Sequence, residues 1–411
     1  MRKPSKKSFK ESSEIGKRSY SKISYAVFGI GLIISLISLV SVVFPALISE
    51  TVVPNAFDDL GVGTTPIDSY ETGPLAELLI LSNAIVFGLY FFRKRIPQIS
   101  KISKVFSFDI PKKISLAVVF VVIVAYGSIS FPEVYTDEIY EDWNLVENRL
   151  NTELLSDEFT TQPYVRYFLL QQSILLFGSY KMIPLFSSMA LLVVTYLFTT
   201  SLTKNNFSGL VSIGLVLQSY IFLMFDTSST YTTFWVLLYL LSFYSIVKFW
   251  FANPVFYIAS IFSKLIVVLF SPMLIFFILN SDISKKHKII ITGILGTMLI
   301  AGGSMLSISD EANEEFIWHE FWTGFTAFAY QMKLDFIPVL FLVPLIFGLF
   351  IISKNNKHAN SISVVLIGIL LAAPLLTGFT DRTNQPYRFL PFIVFFATGV
   401  GILFSKTTKV E

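Results

Sequence analysis

The segment Pro132-Glu133-Val134-Tyr135-Thr136-Asp137-Glu138-Ile139-Tyr140-Glu141-Asp142-Trp143 crowds carboxylates and aromatic rings directly behind an apolar stretch that ends at Phe131. Asp137 and Glu138 follow that end by only a few residues, so both are held close to whatever surface the apolar stretch emerges from. A carboxylate in that position can take the proton of a hydroxyl nucleophile or ligate a divalent cation such as Mg or Mn. These are the two tasks a transfer to a hydroxyl requires. The plain alternative for any one of these acids is that it keeps an external loop soluble.

A second chemistry-bearing stretch holds Asp310, Glu311, Glu314, Glu315, Trp318, His319, Glu320 and Trp322. Its spacing fits no zinc signature, and a chain without cysteine has no thiolate ligand to offer. Its bland reading is an interfacial amphipathic helix with an aromatic belt; its functional reading is a lid in which Trp318 or Trp322 stacks on a sugar and His319 faces the substrate.

These residues must be positioned by a membrane. Of 411 residues, 54% are apolar, 16% aromatic and only 14% charged, which excludes an ordinary soluble globule, a disordered chain and a coiled coil. The composition predicts an all-α integral membrane protein. Stretches suited to crossing about 30 Å of hydrocarbon lie near 24–49, 76–92, 114–131, 183–203, 207–225, 230–250, 288–307, 336–353, 360–378 and 388–405. The first reads as an uncleaved span, because it is too long for the apolar core of a signal peptide and no small-residue cleavage site follows it.

Sidedness follows from lysine and arginine. Arg2, Lys3, Lys6, Lys7, Lys10, Lys17, Arg18 and Lys22 keep the N-terminus cytoplasmic; loop 50–75 is acidic and external; Arg93 to Lys113 is basic and internal. The segments 132–163, 308–335 and 379–387 are then external, and both termini are cytoplasmic, in a multi-pass protein expected in the plasma membrane. Two counts fit what remains. Either 164–180 lies on the outer surface and 253–279 is a hairpin of two short passes, or each is a single pass. Arg166, Gln171 and Gln172 are costly on a lipid-facing span, which favours the surface helix and about twelve transmembrane helices. The chain divides into a basic tail 1–23, a two-span appendage 24–113, a transmembrane domain 114–405 and a tail 406–411. Basic clusters are short and flank spans, so membrane lipids are expected partners and nucleic acid is not.

Six elements in order resemble the multi-pass glycosyltransferases of the GT-C fold, a superfamily that includes the protein O-mannosyltransferases and the lipid A aminoarabinose transferases. Asp137-Glu138 resembles that family's acidic pair after the first span. Gln162-Pro163-Tyr164 stands at its His-Pro-Pro element, without the histidine, and Leu176-Phe177-Gly178 closes the helix that follows. Phe225-Asp226-Thr227-Ser228-Ser229-Thr230-Tyr231 is similar to its second external turn, Ser263-Lys264-Leu265 to its Leu-Thr-Lys stretch between two short passes, and Pro386-Tyr387-Arg388-Phe389-Leu390-Pro391 to its late Arg-Tyr-Leu-Leu-Pro element.

The resemblance implies an inverting transfer of a sugar from a polyprenyl- or dolichyl-phosphate donor to a hydroxyl of a protein, lipid or glycan acceptor on the external face. It implies Asp137 as general base, Glu138 as the second catalytic-site acid, positioning acceptor or metal, and Asp226, Tyr231 and Tyr164 as further groups that position substrate or metal. A leaving phosphate at the membrane surface calls for a cation, and Arg388 supplies one, with Arg382 and Lys264 as second choices. An interfacial anchor is the structural alternative for Arg388, and Arg382 and Lys264 have structural readings of their own. Two further readings stay open: a transporter or flippase of a lipid-linked or small polar substrate, and a non-catalytic subunit of the same fold.

Overall fold

The computed structural model describes residues 20–48, 70, 72–92, 108–140, 142–151, 164–306, 316–379 and 386–405. Among them every regular element is helical. Six helices are long and apolar enough to cross a membrane: Lys22–Val43, Lys112–Tyr135, Met182–Thr203, Phe336–Ser353, His358–Phe379 and Pro386–Leu403. Four shorter apolar helices accompany them, at Ala76–Phe92, Asn206–Leu217, Phe234–Lys248 and Leu265–Asn280.

In chain order we number α1 Lys22–Val43, α2 Ala76–Phe92, α3 Lys112–Ser130, α4 Trp143–Asn151, α5 Tyr164–Phe177, α6 Met182–Thr203, α7 Asn206–Leu217 and α8 Tyr220–Phe225. There follow α9 Phe234–Lys248, α10 Asn253–Ile261, α11 Ser271–Asn280, α12 Lys285–Leu306, α13 Trp318–Gln331, α14 Phe336–Ser353, α15 His358–Phe379 and α16 Leu390–Leu403. A central layer of α6, α7, α9, α11, α15 and α16 shares one continuous core, in which Phe198, Tyr239, Phe243, Phe277 and Phe395 interlock at edge-to-face and tilted angles. α1 lies against α13, α14 and α15, and α2 against α14.

Close approach in this layer is bought with small residues. A Cβ at Gly401 would stand 2.5 Å from Ser212 Oγ and from Thr199 Cγ2 and 3.0 Å from the Ser208 carbonyl oxygen, so α16 can reach α6 and α7 only without a side chain there. Hydroxyls then stitch the seam: Ser212 donates to the Ala397 carbonyl at 2.9 Å and Thr199 to Thr398 at 3.4 Å.

The stretch 207–225, expected as one span, is two helices. α7 holds 12 residues, about 18 Å at the usual 1.5 Å rise. The chain breaks at Gln218 and restarts at Ser219, whose hydroxyl accepts the Phe222 N–H at 3.1 Å, while the Asp335 carboxylate accepts the N–H groups of Tyr220 and Ile221 at 2.9 and 2.8 Å. Caps from a distant loop make the interruption tolerable, because each N–H freed from a helix in a dry interior needs a partner. The helix expected from 230 begins at Phe234, after a Ser/Thr-rich turn at 226–233.

The stretch 253–279 does fold back on itself. α10 ends at Ile261, a short non-helical turn carries Lys264, and a 3-10 segment Leu265–Phe270 leads into α11. Tyr257 joins the two limbs by donating to the Val267 carbonyl at 3.1 Å and meeting Ser271 Oγ at 2.5 Å. The stretch 164–180 forms a separate helix, α5, whose buried stripe Arg166, Leu170 and Ser173 faces inward. The Trp318 stretch is a helix as expected, and α13 sits tightly on α15: a Cβ at Gly324 would lie 2.5 Å from Pro374 Cα.

Replacing Gly401 with valine should force α16 away from α6 and α7 and cost about 1–3 kcal/mol, the usual penalty of overpacking a filled core. Thermal unfolding of the detergent-solubilised protein measures it; an unchanged midpoint would contradict this packing.

Candidate functional site

The turn 226–233 between α8 and α9, Asp226-Thr-Ser-Ser-Thr-Tyr-Thr-Thr233, is the hub of the polar residues. A run of hydroxyls has no helix to complete, and most of them find specific partners instead. From one side come the acids that follow α3. The Glu138 carboxylate accepts the Ser229 N–H at 2.8 Å and the Ser228 hydroxyl at 3.2 Å, and Glu133 accepts the Thr227 hydroxyl at 3.1 Å. From the other side comes α5: Arg166, only 9% exposed, donates through Nη2 to the carbonyls of Thr230 at 2.5 Å and Ser229 at 3.2 Å. Arg166 Nε and Thr230 Oγ1 are buried and have no hydrogen-bond partner among the described residues.

Asp137 is held differently from its neighbour. Its carbonyl accepts Lys181 Nζ at 3.0 Å, and the same ammonium donates to the Thr136 hydroxyl at 3.3 Å. With Glu138 pinned next to it, the backbone of Asp137 is fixed on both sides while its carboxylate stands exposed. Asp142 accepts the Tyr231 hydroxyl at 2.5 Å.

Asp226 does not open onto solvent. It is 1% exposed, and its Oδ2 accepts Tyr126 at 2.7 Å and Ser130 at 3.1 Å, both from the C-terminal end of α3. It therefore fastens the turn to α3 and is not placed to touch a substrate. Burial, assisted by the nearby Glu133 charge, raises its carboxyl to about 6 against the lowering effect of its donors.

Aromatic rings carry the site across to the C-terminal part. Tyr231 stacks on Tyr387 with centroids 4.4 Å apart and planes at 15°, and Tyr140 and Phe225 close the cluster edge-on or tilted. The Tyr387 hydroxyl accepts Lys264 Nζ at 2.8 Å and Arg388 Nε at 3.4 Å. Lys264 arrives there because the Phe262 carbonyl, in the turn between the two hairpin limbs, accepts the Val165 N–H at 3.2 Å and so docks the hairpin on the start of α5.

Thus Glu138, Asp226, Tyr231, Lys264 and Arg388, predicted from distant parts of the sequence, belong to one connected cluster. Tyr164 lies at its edge, its ring 6.4 Å from Phe262. Trp318 and His319 stand exposed at the start of α13, where the ring neighbours of Trp318 are Phe316 and Phe321. Arg382, Gln162 and Pro163 lie outside the described residues. Among the described residues no three His, Asp or Glu side chains gather as a metal site would require, and Glu133, Glu138 and Asp226 are each turned to hydroxyl or N–H donors. That donor set does not fit a divalent cation.

Sequence reasoning missed Lys181 and Tyr387 and noticed Arg166 only as a misfit on a span. A lone cation in an otherwise apolar helix was the available signal for Arg166. No protein-family model, curated protein or solved structure matches the chain.

Because the folded carboxyl of Asp226 titrates near 6 and the unfolded one near 3.8, the native state binds the extra proton between those values, and its stability should rise as pH falls from about 7 towards 4. Asp226→Asn should flatten that part of the stability–pH profile measured by thermal unfolding. A variant that keeps the wild-type slope would show that another group sets it.

Proposed function

We propose that this chain is an integral membrane glycosyltransferase of the GT-C type, which moves a sugar from a polyprenyl- or dolichyl-phosphate donor to a hydroxyl acceptor on the external face. The observation that carries this reading is the pairing of an exposed carboxylate on a pinned backbone, Asp137, with a cluster that continues through Tyr231 and Tyr387 to Lys264 and Arg388. At the Asp137 end Lys181 and Arg166 are spent on backbone carbonyls, whereas Lys264 and Arg388 converge on one oxygen at the other end, the arrangement a displacement from a phosphate requires.

In the proposed step, Asp137 takes the proton of the acceptor hydroxyl while the acceptor oxygen attacks the anomeric carbon. The bond from that carbon to the phosphate oxygen breaks, its electron pair leaves with the phosphate, and Lys264 and Arg388, with Arg382 as a further cation, meet the charge. One displacement inverts the anomeric configuration. Glu138 acts by fixing the peptide beside Asp137, and Asp226 by fixing the turn. The folded-back limbs around Lys264 and the separate helix α5 support a count of about twelve membrane passes, and the placement of lysine and arginine along the chain puts α5 on the outer surface and both termini in the cytoplasm.

The test is transfer from a labelled lipid-phosphate sugar by the reconstituted protein. Asp137→Asn should lower the rate by about 10²–10⁴, the usual contribution of a general base, with its thermal unfolding unchanged. Full activity in that variant would remove Asp137 as base. Movement of the intact lipid-linked substrate across the bilayer, without bond cleavage, would replace the transferase with a transporter.

A further inference from the structure

Two stacked tyrosines in the cluster make opposite bonds. The Tyr231 hydroxyl gives its proton to the Asp142 carboxylate, whereas the Tyr387 oxygen receives two cationic donors, Lys264 and Arg388. The Lys264 ammonium also stands 4.1 Å from the Tyr387 ring centroid, and the buried Arg166 guanidinium, with its unpartnered Nε, is close enough to repel it. Cations crowded in this way favour an oxyanion, since an ionised oxygen adds direct attraction between opposite charges to the charge-assisted hydrogen bonds that a neutral oxygen already accepts. A phenol oxygen is the weakest occupant that can satisfy both donors at once. The carboxylates within the cluster cannot take its place: Glu138 is tied to Ser228 and Ser229, and Asp142 to Tyr231.

We propose that Lys264 and Arg388 form an oxyanion site for a phosphate group and that the phenol oxygen of Tyr387 is its built-in competitor, which an arriving phosphate displaces from the two cations. The inference rests on the donor class proposed above. It adds a residue that sets how tightly that donor is held. The ring of Tyr387 stays in place through its stack on Tyr231, so that only the hydroxyl need give way.

The full chain in phosphatidylcholine nanodiscs provides the test, with inorganic phosphate and a short-chain polyprenyl phosphate as probes and dissociation constants from titration calorimetry. Tyr387→Phe keeps the ring and removes the competitor, so it should bind about tenfold more tightly than the wild type, the equivalent of one hydrogen bond to a charged group. Lys264→Met should lose binding. Tightening with both probes means that the site reads phosphate itself; tightening with the polyprenyl phosphate alone means that it takes a lipid headgroup. A Tyr387→Phe protein that binds no more tightly than wild type overturns the competitor role while leaving the donor class standing. Absence of binding by both proteins overturns the site and the donor class together. Should Tyr387→Phe fail to fold, the wild-type near-ultraviolet difference spectrum decides: phosphate must perturb tyrosine absorption, and must not do so in Lys264→Met, and a silent spectrum in the wild type sinks the proposal.

Discussion

A broken helix in an apolar environment leaves N–H and C=O groups that no water can satisfy, and the polar architecture of this protein follows from meeting that demand. Three breaks make the case. At 218–219 the partners are Ser219 and the Asp335 carboxylate. At 226–233 they are Glu138 for the N–H side and Arg166 for the carbonyl side. At 262–264 the Phe262 carbonyl receives Val165 N–H. Each solution draws on a segment remote in sequence, so each break is also a joint between elements.

The turn 226–233 shows why such joints concentrate charge. Exposed N–H groups attract a carboxylate and exposed carbonyls a guanidinium, and a turn offers both within a few residues. Glu138 and Arg166 therefore approach the same loop without forming an ion pair with one another, each bound to backbone dipoles. A charged group held by backbone in this way keeps its ionised form at less cost than an isolated one would incur in the same place. Asp226 shows the opposite balance: its oxygens face hydroxyls and one of them has no partner, so burial dominates and the carboxyl is raised.

Much of the scaffold was legible in the sequence because apolar length and the placement of Lys and Arg are one-dimensional properties. The six long helices follow from them, whereas the fold-back around Lys264 and the separate helix at 164–177 belong to one of the two counts that apolar length and charge placement leave open. The break inside 207–225 was not legible, because nothing local announces it: Ser219 is a weak cap by itself, and the carboxylate that completes it lies more than a hundred residues away. The cluster was half legible. Residue types picked out Glu138, Asp226, Tyr231, Lys264 and Arg388, yet sequence assigned Asp226 to the surface, since proximity to a span end does not tell which way a side chain turns. Tyr387 enters the sequence reading only as part of the Pro386–Pro391 element, because nothing in a tyrosine's residue type announces the two cationic donors that distinguish it.

The packing of the C-terminal helices bears directly on that tyrosine. Tyr387 sits in the 3-10 turn that opens α16, and α16 is held against α6 and α7 by the side-chain-free contact at Gly401 and by the Ser212 and Thr199 hydroxyls. The hairpin that carries Lys264 is located through α5, through the limb-to-limb bonds of Tyr257 and through the packing of α11 on α15. Arg388 and Lys264 thus reach one phenol oxygen from two supports, each held by several contacts besides that oxygen. Neither support needs that oxygen to hold its position, so the two cations stay convergent when the phenol gives way, and convergence fixed by the scaffold is what distinguishes a preorganised oxyanion site from a pair of basic side chains that happen to share a hydrogen bond.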